Sequence, residues 1–238
     1  MIDKISDEQL NRLDLSHWRI TLCGAEPVRA QTLADFKQRF KSGGFNGDTF
    51  YPAYGLAEST LLVTGGSVQQ RLIDQQALAK NQVVINPDHR QTTTLISCGQ
   101  LIDGHQLLIV DPKNNQVLND RQVGEVWLKG PSVARGYWRK SDLNEQTFNA
   151  RPAGDQHQAG WLRTGDLGFM LDNQLYITGR HKDLIILRGR NLYPQDLEIT
   201  ATATSDYLAT DGCAAFSVDN GVDNDHQTQL ILVLEVTR

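Results

Sequence analysis

The chain has 238 residues, of which 23 are basic and 28 acidic, so its formal net charge at pH 7 is −5. This acidic balance argues against a nucleic-acid-binding protein that relies on bulk electrostatic attraction. Hydrophobic residues make up 39% of the chain and charged residues 21%, which is typical of a folded protein and excludes a disordered one. At roughly 150 residues per domain, this length predicts one or two domains.

The cysteines and histidines give no sign of a disulfide framework or a metal site. Cys23, Cys98 and Cys213 lie far apart, are odd in number and form no CxxC pair, so we expect buried free thiols. The six histidines lack metal-ligand spacing. No apolar run approaches the ~20 residues that a membrane span requires, and the first residues lack the apolar core of a signal peptide. We therefore expect a cytoplasmic protein without a membrane span.

Alternating helices and strands are predicted in the first hundred residues. Ser6 and Gln9 have capping-box spacing, which predicts a short helix that ends near Leu13. The elements that follow are a strand over residues 19–23, a helix over Ala30–Phe40 and a strand over residues 49–51. Strand, helix and strand in this order indicate a βαβ unit in a largely parallel sheet.

After about residue 95 the pattern changes to short apolar runs separated by turn residues. It predicts a β-rich part with strands over residues 107–110, 125–128 and 175–178 and a short helix over Ser141–Phe148.

A third part is predicted to begin near Lys182. Its elements are a strand over residues 184–187, a helix from Pro194 to about residue 204, and strands over residues 213–218 and 229–236 around a polar loop at 219–227.

Four segments carry residue types suited to nucleotide chemistry, and each is weak evidence by itself. They are residues 24–27 (GAEP), 54–58 (YGLAE), 161–166 (WLRTGD) and 179–198. A Gly-Asp pair is usually a turn, a lone Glu58 is usually solvated, and an aromatic such as Tyr54 usually packs in a core. Arg180 with Asp183 is consistent with a surface ion pair worth roughly 0–1 kcal/mol. The order and spacing of all four segments carry more information than any one of them.

In this order the segments resemble the adenylate-forming superfamily of acyl-CoA synthetases, luciferases and peptide-synthetase adenylation domains. Three strings resemble its fatty acyl-AMP ligase branch: YPAYGLAESTLLVTGG at 51–66, GPSVARGYW at 130–138 and RGRNLYPQD at 188–196. The resemblance implies a partial α/β adenylate-forming fold. Its parts would be an incomplete α/β subdomain over residues 1–100, a β-rich subdomain over 101–181, and the start of a small α+β C-terminal domain over 182–238.

The resemblance also implies an activity. Fatty acyl-AMP ligases join a fatty acid to ATP, which gives acyl-AMP and pyrophosphate, and pass the acyl group to an acyl carrier protein or to a polyketide or peptide synthase. The implied cofactors are ATP, or AMP as the product half, and Mg²⁺. A carboxylate and a triphosphate must meet, so a divalent cation and positive groups have to offset their repulsion.

The resemblance assigns the nucleotide contacts to particular positions. The backbone at Gly24, Ala25, Glu26 and Pro27 would pack on one face of the adenine. Tyr54, with Gly55 beside it, would stack on the other face, because flat rings suit a flat base.

Further along the chain, Asp166 would accept hydrogen bonds from both ribose hydroxyls, and Arg180 would also reach the ribose. The candidate catalytic residues are Glu58, as a ligand of Mg²⁺, and Lys182, as the hinge about which the C-terminal domain turns.

Two positions near Tyr54 depart from the wider superfamily. Many members have Thr at Ala57, where its hydroxyl contacts a phosphate, and Asn or Asp at Pro52, where it contacts the adenine amine. Both departures agree with the fatty acyl-AMP ligase branch, but they leave these phosphate and adenine contacts unaccounted for.

The polar stretch 81–94 resembles an insertion that the fatty acyl-AMP ligases carry. In that branch it limits movement of the C-terminal domain and so disfavours coenzyme A as acceptor. The alternative is an ordinary surface loop.

The superfamily's glycine- and Ser/Thr-rich phosphate loop has no counterpart, because nothing before Gly24 has its composition. Its C-terminal lysine has none either, because no lysine follows Lys182. We therefore expect an interior piece of a longer enzyme that forms no acyl-AMP by itself. The alternatives are a non-catalytic truncated module that binds a nucleotide or a partner, and a piece of an acyl-CoA synthetase.

Overall fold

The computed structural model describes residues 2–85, 91–154, 160–187, 190–220 and 227–237. The α-helices in this part of the chain are α1 (Asp7–Leu10), α2 (Ala30–Phe40), α3 (Gln75–Leu78), α4 (Ser141–Phe148) and α5 (Pro194–Thr202). Over these described ranges, no helix is both long and apolar enough to cross a membrane.

The first sheet is mixed, with the strand order β1-β2-β3-β6. Its strands are β1 (Thr21–Cys23), β2 (Phe50–Leu56), β3 (Leu61–Gly65) and β6 (Gln100–Leu101). β1 and β2 are parallel and joined through α2, which confirms the predicted βαβ unit, but β3 and β6 pair antiparallel to their neighbours. The prediction of a largely parallel sheet is therefore wrong. The cause is a tight turn after β2, where Thr60 and Leu61 adopt positive φ angles and the chain returns as a hairpin.

Aromatic packing holds α2 against this sheet. Phe36 lies 4.4 Å from Phe40 and 5.9 Å from Phe50, measured between ring centroids. Phe40 and Phe50 are buried, together with Leu10 of α1. The Ser6–Gln9 capping box is present, but α1 ends at Leu10 instead of Leu13, because the chain turns after its cap at Asn11.

Strands β4 (Gln70–Asp74) and β5 (Thr92–Ile96) form a separate antiparallel pair, and Ile73 of β4 is buried in the cluster that contains Leu167, Phe169 and Tyr176. The polar stretch 81–94 is therefore only partly a loop, because its last three residues lie in β5. Val83 in the same stretch is buried. Residues 86–90 lie outside the described part.

The second sheet is antiparallel, with the strand order β10-β9-β8-β7. Its strands are β7 (Gln106–Val110), β8 (Gly124–Lys129), β9 (Leu162–Leu171) and β10 (Gln174–Arg180). Val126, Leu162 and Leu175 form one buried cluster with Val63 of β3, so the two sheets share a core. The predicted β-rich region is confirmed. No strand was predicted over β9, which contains the RTGD segment at residues 163–166.

The last part contains two antiparallel pairs and α5. The pairs are β11 (Ile185–Leu187) with β12 (Arg190–Leu192), and β13 (Leu208–Asn220) with β14 (Gln227–Val236). The Glu198 carboxylate of α5 accepts a hydrogen bond from the backbone N–H of Ala215 in β13 at 3.0 Å. Most of the predicted polar loop, residues 221–226, lies outside the described part.

All three cysteines are free thiols. Cys98 is buried, and burial raises its pKa to about 11. Cys23 and Cys213 are half-buried and not buried as expected. Each lies on an edge strand of its sheet, Cys23 on β1 and Cys213 on β13, where fewer neighbours cover it.

Candidate functional site

A cavity of about 570 Å³ is lined by both sheets and by the C-terminal part of the chain. Its walls include Ala25, Glu26 and Pro27 after β1, Tyr54 and Gly55 of β2, Asp166 of β9 and Arg180 at the end of β10. The structure therefore brings together seven of the predicted nucleotide-contacting residues.

Asp166 is the centre of a hydrogen-bond network in this cavity. The Tyr54 hydroxyl donates to its Oδ2 at 2.7 Å, and the Arg180 Nε donates to its Oδ1 at 2.8 Å. Only 6% of Asp166 is exposed. Since each carboxylate oxygen has two lone pairs, each can accept one further hydrogen bond. Asp166 thus has acceptor capacity for two hydroxyls of a ligand.

The charges in this network have physical consequences for the neighbouring groups. Burial raises the pKa of Tyr54, and the negative charge of Asp166 raises it further. The same charge raises the pKa of Arg180. Tyr54 therefore stays protonated and acts as a donor, while Arg180 stays cationic.

Pairing between β9 and β10 places Arg180 opposite Asp166. The two residues are direct cross-strand partners, and one extra residue of β10, Thr178, bulges out just before them. Bulges re-aim side chains at the ends of ladders. This bulge shifts the register of β10 so that Arg180 lies opposite Asp166 and contacts its carboxylate.

The segment after β1 runs close to β2. A Cβ on Gly24 would lie 2.7 Å from the Ala53 carbonyl oxygen, so a residue without a side chain is required there. Ala25 has a φ of +68°. Gly24 itself lines a second cavity of about 650 Å³, next to α2 and α5, and not the cavity that holds Tyr54.

Besides Gly24, three further predicted residues, Ala57, Glu58 and Lys182, do not line the cavity. Glu58 is half-buried and its Oε1 accepts a hydrogen bond from the Tyr137 hydroxyl at 2.6 Å. This bond to a carboxylate raises the pKa of Tyr137 to about 12. Lys182 is exposed, in the 3-10 turn His181–Asp183 between β10 and β11.

Two of the strings that carry the resemblance contact each other. The Ala134 N–H donates to the Glu58 carbonyl at 2.7 Å, and the Thr60 hydroxyl donates to the Ser132 carbonyl at 2.9 Å. The turn that holds Glu58 is thus fixed by the loop at 130–138. Of the third string, Arg188 and Gly189 lie outside the described residues.

Comparison with known proteins identifies the family. Residues 1–138, more than half of the chain, match the family described as AMP-binding enzyme. The chain belongs to this family. AMP-binding enzymes handle adenine nucleotides, which agrees with the acceptor arrangement at Asp166.

Individual members of the family are similar over almost the whole chain. The medium-chain-fatty-acid–[acyl-carrier-protein] ligase JamA of Moorena producens is 42% identical, over 97% of this chain and 39% of JamA. A chain from structural and functional studies of fatty acyl-adenylate ligases from E. coli and L. pneumophila is 32% identical with a TM-score of 0.86. The fatty acyl-adenylate ligase from L. pneumophila in complex with acyl adenylate and pyrophosphate is 39% identical with a TM-score of 0.74.

Both structural matches cover 100% of this chain and 41% of the solved chain. The chain thus spans about two fifths of the length of these AMP-binding relatives. The predicted partial adenylate-forming fold and the resemblance to fatty acyl-AMP ligases are confirmed.

The sequence analysis did not single out one residue that lies next to this site. Glu125 of β8 is only 3% exposed, and its carboxylate accepts hydrogen bonds from Arg163 and from the Gly165 N–H, directly before Asp166. The available signal was a charged residue at the start of the apolar run Val126-Trp127-Leu128, where a buried charge needs a partner.

Proposed function

We propose that this chain is part of a fatty acyl-AMP ligase, which joins a fatty acid to ATP to give acyl-AMP and pyrophosphate. The single observation that carries the proposal is the hydrogen-bonded group of Tyr54, Asp166 and Arg180 in one wall of the cavity. Family membership supports it, as do the acyl adenylate and pyrophosphate named for a similar solved ligase.

In this proposal the chain holds the adenosine half of ATP. The backbone at Ala25–Pro27 and the ring of Tyr54 lie against the adenine, where a flat base gains from packing on a flat ring. Asp166 accepts hydrogen bonds from the two ribose hydroxyls through its remaining lone pairs, and charge-assisted bonds of this kind are the stronger ones. Arg180 pairs with this carboxylate and adds a cation beside the nucleotide.

Mg²⁺ would be held by Glu58. The described residues contain no group of three or more His, Cys, Asp or Glu side chains that could hold a metal by themselves. A single carboxylate nevertheless fits Mg²⁺, which proteins often bind through one or two carboxylates together with substrate phosphates. The ion would offset the negative charge of the triphosphate.

The wider assignments are part of the same proposal. The substrate is a fatty acid and the acceptor is an acyl carrier protein, the two partners that the name of JamA gives for that relative. A polyketide or peptide synthase is the alternative acceptor. The division at residues 100 and 181, the hinge at Lys182 and a cytoplasmic location also belong to it.

The test is calorimetric titration of the 238-residue chain with AMP. We expect Asp166→Asn to weaken AMP binding by about ten- to a hundredfold, since hydrogen bonds to charged groups contribute roughly 1.5–3 kcal/mol. The matched control is Asp172→Asn in the turn after β9, where the carboxylate is largely exposed and pairs with Arg71. We expect this control to bind AMP like the wild type. Equal affinity of wild type and Asp166→Asn, or no binding by either, would contradict the proposal.

A further inference from the structure

Asp166 lies on an interruption of the pairing between β8 and β9. Trp127 pairs with Arg163 and Glu125 pairs with Leu167, so one residue of β8 faces three residues of β9. The three are Thr164, Gly165 and Asp166. A bulge of this size leaves backbone groups without ladder partners, and something else has to fix its shape.

The Glu125 side chain fills this interruption. Its Oε1 accepts a hydrogen bond from the Gly165 N–H at 3.1 Å, and its Oε2 accepts from Arg163 Nε at 3.0 Å and Nη2 at 2.7 Å. The Arg163 guanidinium in turn lies over the Trp127 ring, 5.4 Å from its centroid. The Glu125 carboxylate thus contacts Arg163 through Oε2 and the backbone of Gly165, the residue before Asp166, through Oε1.

Thr164 provides a second anchor. Its hydroxyl donates to the Val126 carbonyl at 2.7 Å and accepts from the Asp166 N–H at 3.0 Å. Gly165, between the two anchored residues, has a φ of +72°, a conformation that favours glycine. On the side that faces β8, the backbone around Gly165 is therefore fixed by side chains and not by strand pairing.

We infer that Glu125 is a positioning residue for the proposed ribose-binding carboxylate. An ion pair with a buried carboxylate is a poor source of net stability, because desolvating the buried charge offsets much of the attraction. We explain the Glu125–Arg163 pair by its position: Glu125 accepts a hydrogen bond from the Gly165 N–H, and Gly165 directly precedes Asp166. This inference rests on the proposed function and adds a residue that acts through Asp166 without touching the nucleotide.

The experiment is titration of the 238-residue chain with AMP. Glu125→Gln keeps the shape of the side chain and one carbonyl acceptor but removes the charge that Arg163 and Gly165 share. We expect AMP to bind roughly tenfold more weakly, because a displaced Asp166 loses part of a charge-assisted interaction. Thr164→Val removes the other anchor without changing the side-chain volume, and it should weaken binding in the same direction. Glu8→Gln, at an exposed carboxylate of α1, is the matched control and should bind AMP like the wild type.

A double-mutant cycle separates positioning from general stabilisation of the fold. If Glu125 acts through Asp166, adding Glu125→Gln to Asp166→Asn should cause little further loss of AMP affinity. Two results would overturn the inference: wild-type affinity in both Glu125→Gln and Thr164→Val, or the same loss from Glu125→Gln in both backgrounds. If Glu125→Gln does not fold, Thr164→Val completes the same cycle and decides. If Asp166→Asn alone binds AMP like the wild type, the proposed ribose contact fails, and this inference fails with it.

Discussion

Asp166 is a buried carboxylate that two distant parts of the chain stabilise. Tyr54 reaches it from β2 and Arg180 from β10, and each satisfies one of its oxygens. Because leaving a buried charge without its partner is costly, the loss of either neighbour should affect stability as well as binding.

The Tyr54 phenol should make stability depend on pH in the alkaline range. Its pKa in the folded chain is raised by burial and by Asp166, so the unfolded chain releases this proton first. The protonated Tyr54 phenol therefore makes its full contribution to the free energy of unfolding below the ordinary tyrosine pKa of about 10. Above that pH the contribution is lost at about 1.4 kcal/mol per pH unit. We expect the stability advantage of wild type over Tyr54→Phe to shrink between pH 9.5 and 11, as measured by urea unfolding.

The matched variant for this experiment is Tyr207→Phe, which removes a phenol that is 75% exposed and measures the background effect of losing a tyrosine. Parallel pH curves for wild type and Tyr54→Phe would show that the phenol ionises as readily in the folded chain as in the unfolded one. The shielding of Tyr54 by the fold would then be disproved.

Sequence motifs predicted which residues belong to the candidate site, but they did not predict which of these residues contact each other. The segments that contain Tyr54 and Asp166 were recognisable because their letters follow a family pattern. Their hydrogen bond joins positions 112 residues apart, and no local spacing carries that information. Glu125 was missed for the same reason, because its partners lie on a different strand.

At the level of elements, strong periodicity was predictive and irregular strands were not. The α2 repeat and the apolar runs of β7, β8 and β10 gave correct elements. β9 was missed because the bulge at Thr164–Asp166 breaks its alternation with a glycine and polar residues. The antiparallel return of β3 depends on two positive φ angles at Thr60 and Leu61, which neither residue type suggests.

The polar stretch 81–94 contacts the C-terminal part of the chain. The Asn191 side-chain amide of β12 donates to Asn81 Oδ1 at 2.8 Å, and the Asn191 N–H donates to the Ala79 carbonyl at 3.3 Å. These hydrogen bonds tie β12 to the chain around residues 79–81. The expectation that the stretch disfavours coenzyme A as acceptor stays a prediction.

Removal of the Asn81 side chain should loosen β12. Asn81 has a φ of +59°, so Asn81→Gly removes the amide without straining the backbone. One hydrogen bond contributes about 1 kcal/mol, so hydrogen exchange at Arg190–Leu192 should accelerate up to about fivefold. The matched control is Asn115→Gly, because Asn115 also has a φ of +59° and lies in another turn. Unchanged exchange in β12 would show that the contact does not restrain it.

At the level of the whole molecule, the cavity depends on segments from three parts of the sequence. Pro27 follows the first strand, Asp166 and Gly179 belong to the second sheet, and Tyr193 and Ile199 come from the C-terminal part. A ligand that fills such a cavity contacts all three and stabilises their mutual arrangement. The sequence predicted each part, but the enclosure arises only from their packing.

AMP should therefore slow hydrogen exchange in three separate segments. We expect protection at residues 24–28 and 163–166, and also in α5, whose Ile199 lines the same cavity. Exchange with and without AMP has to be compared at amides that exchange early, through local opening of the fold. Amides that exchange only through global unfolding are all slowed together when a ligand stabilises the protein. The internal control is β14, of which no residue lines the cavity among those described. Protection that includes the first two segments but omits α5 would show that nucleotide binding does not engage the C-terminal part, and would confine the site to the two sheets.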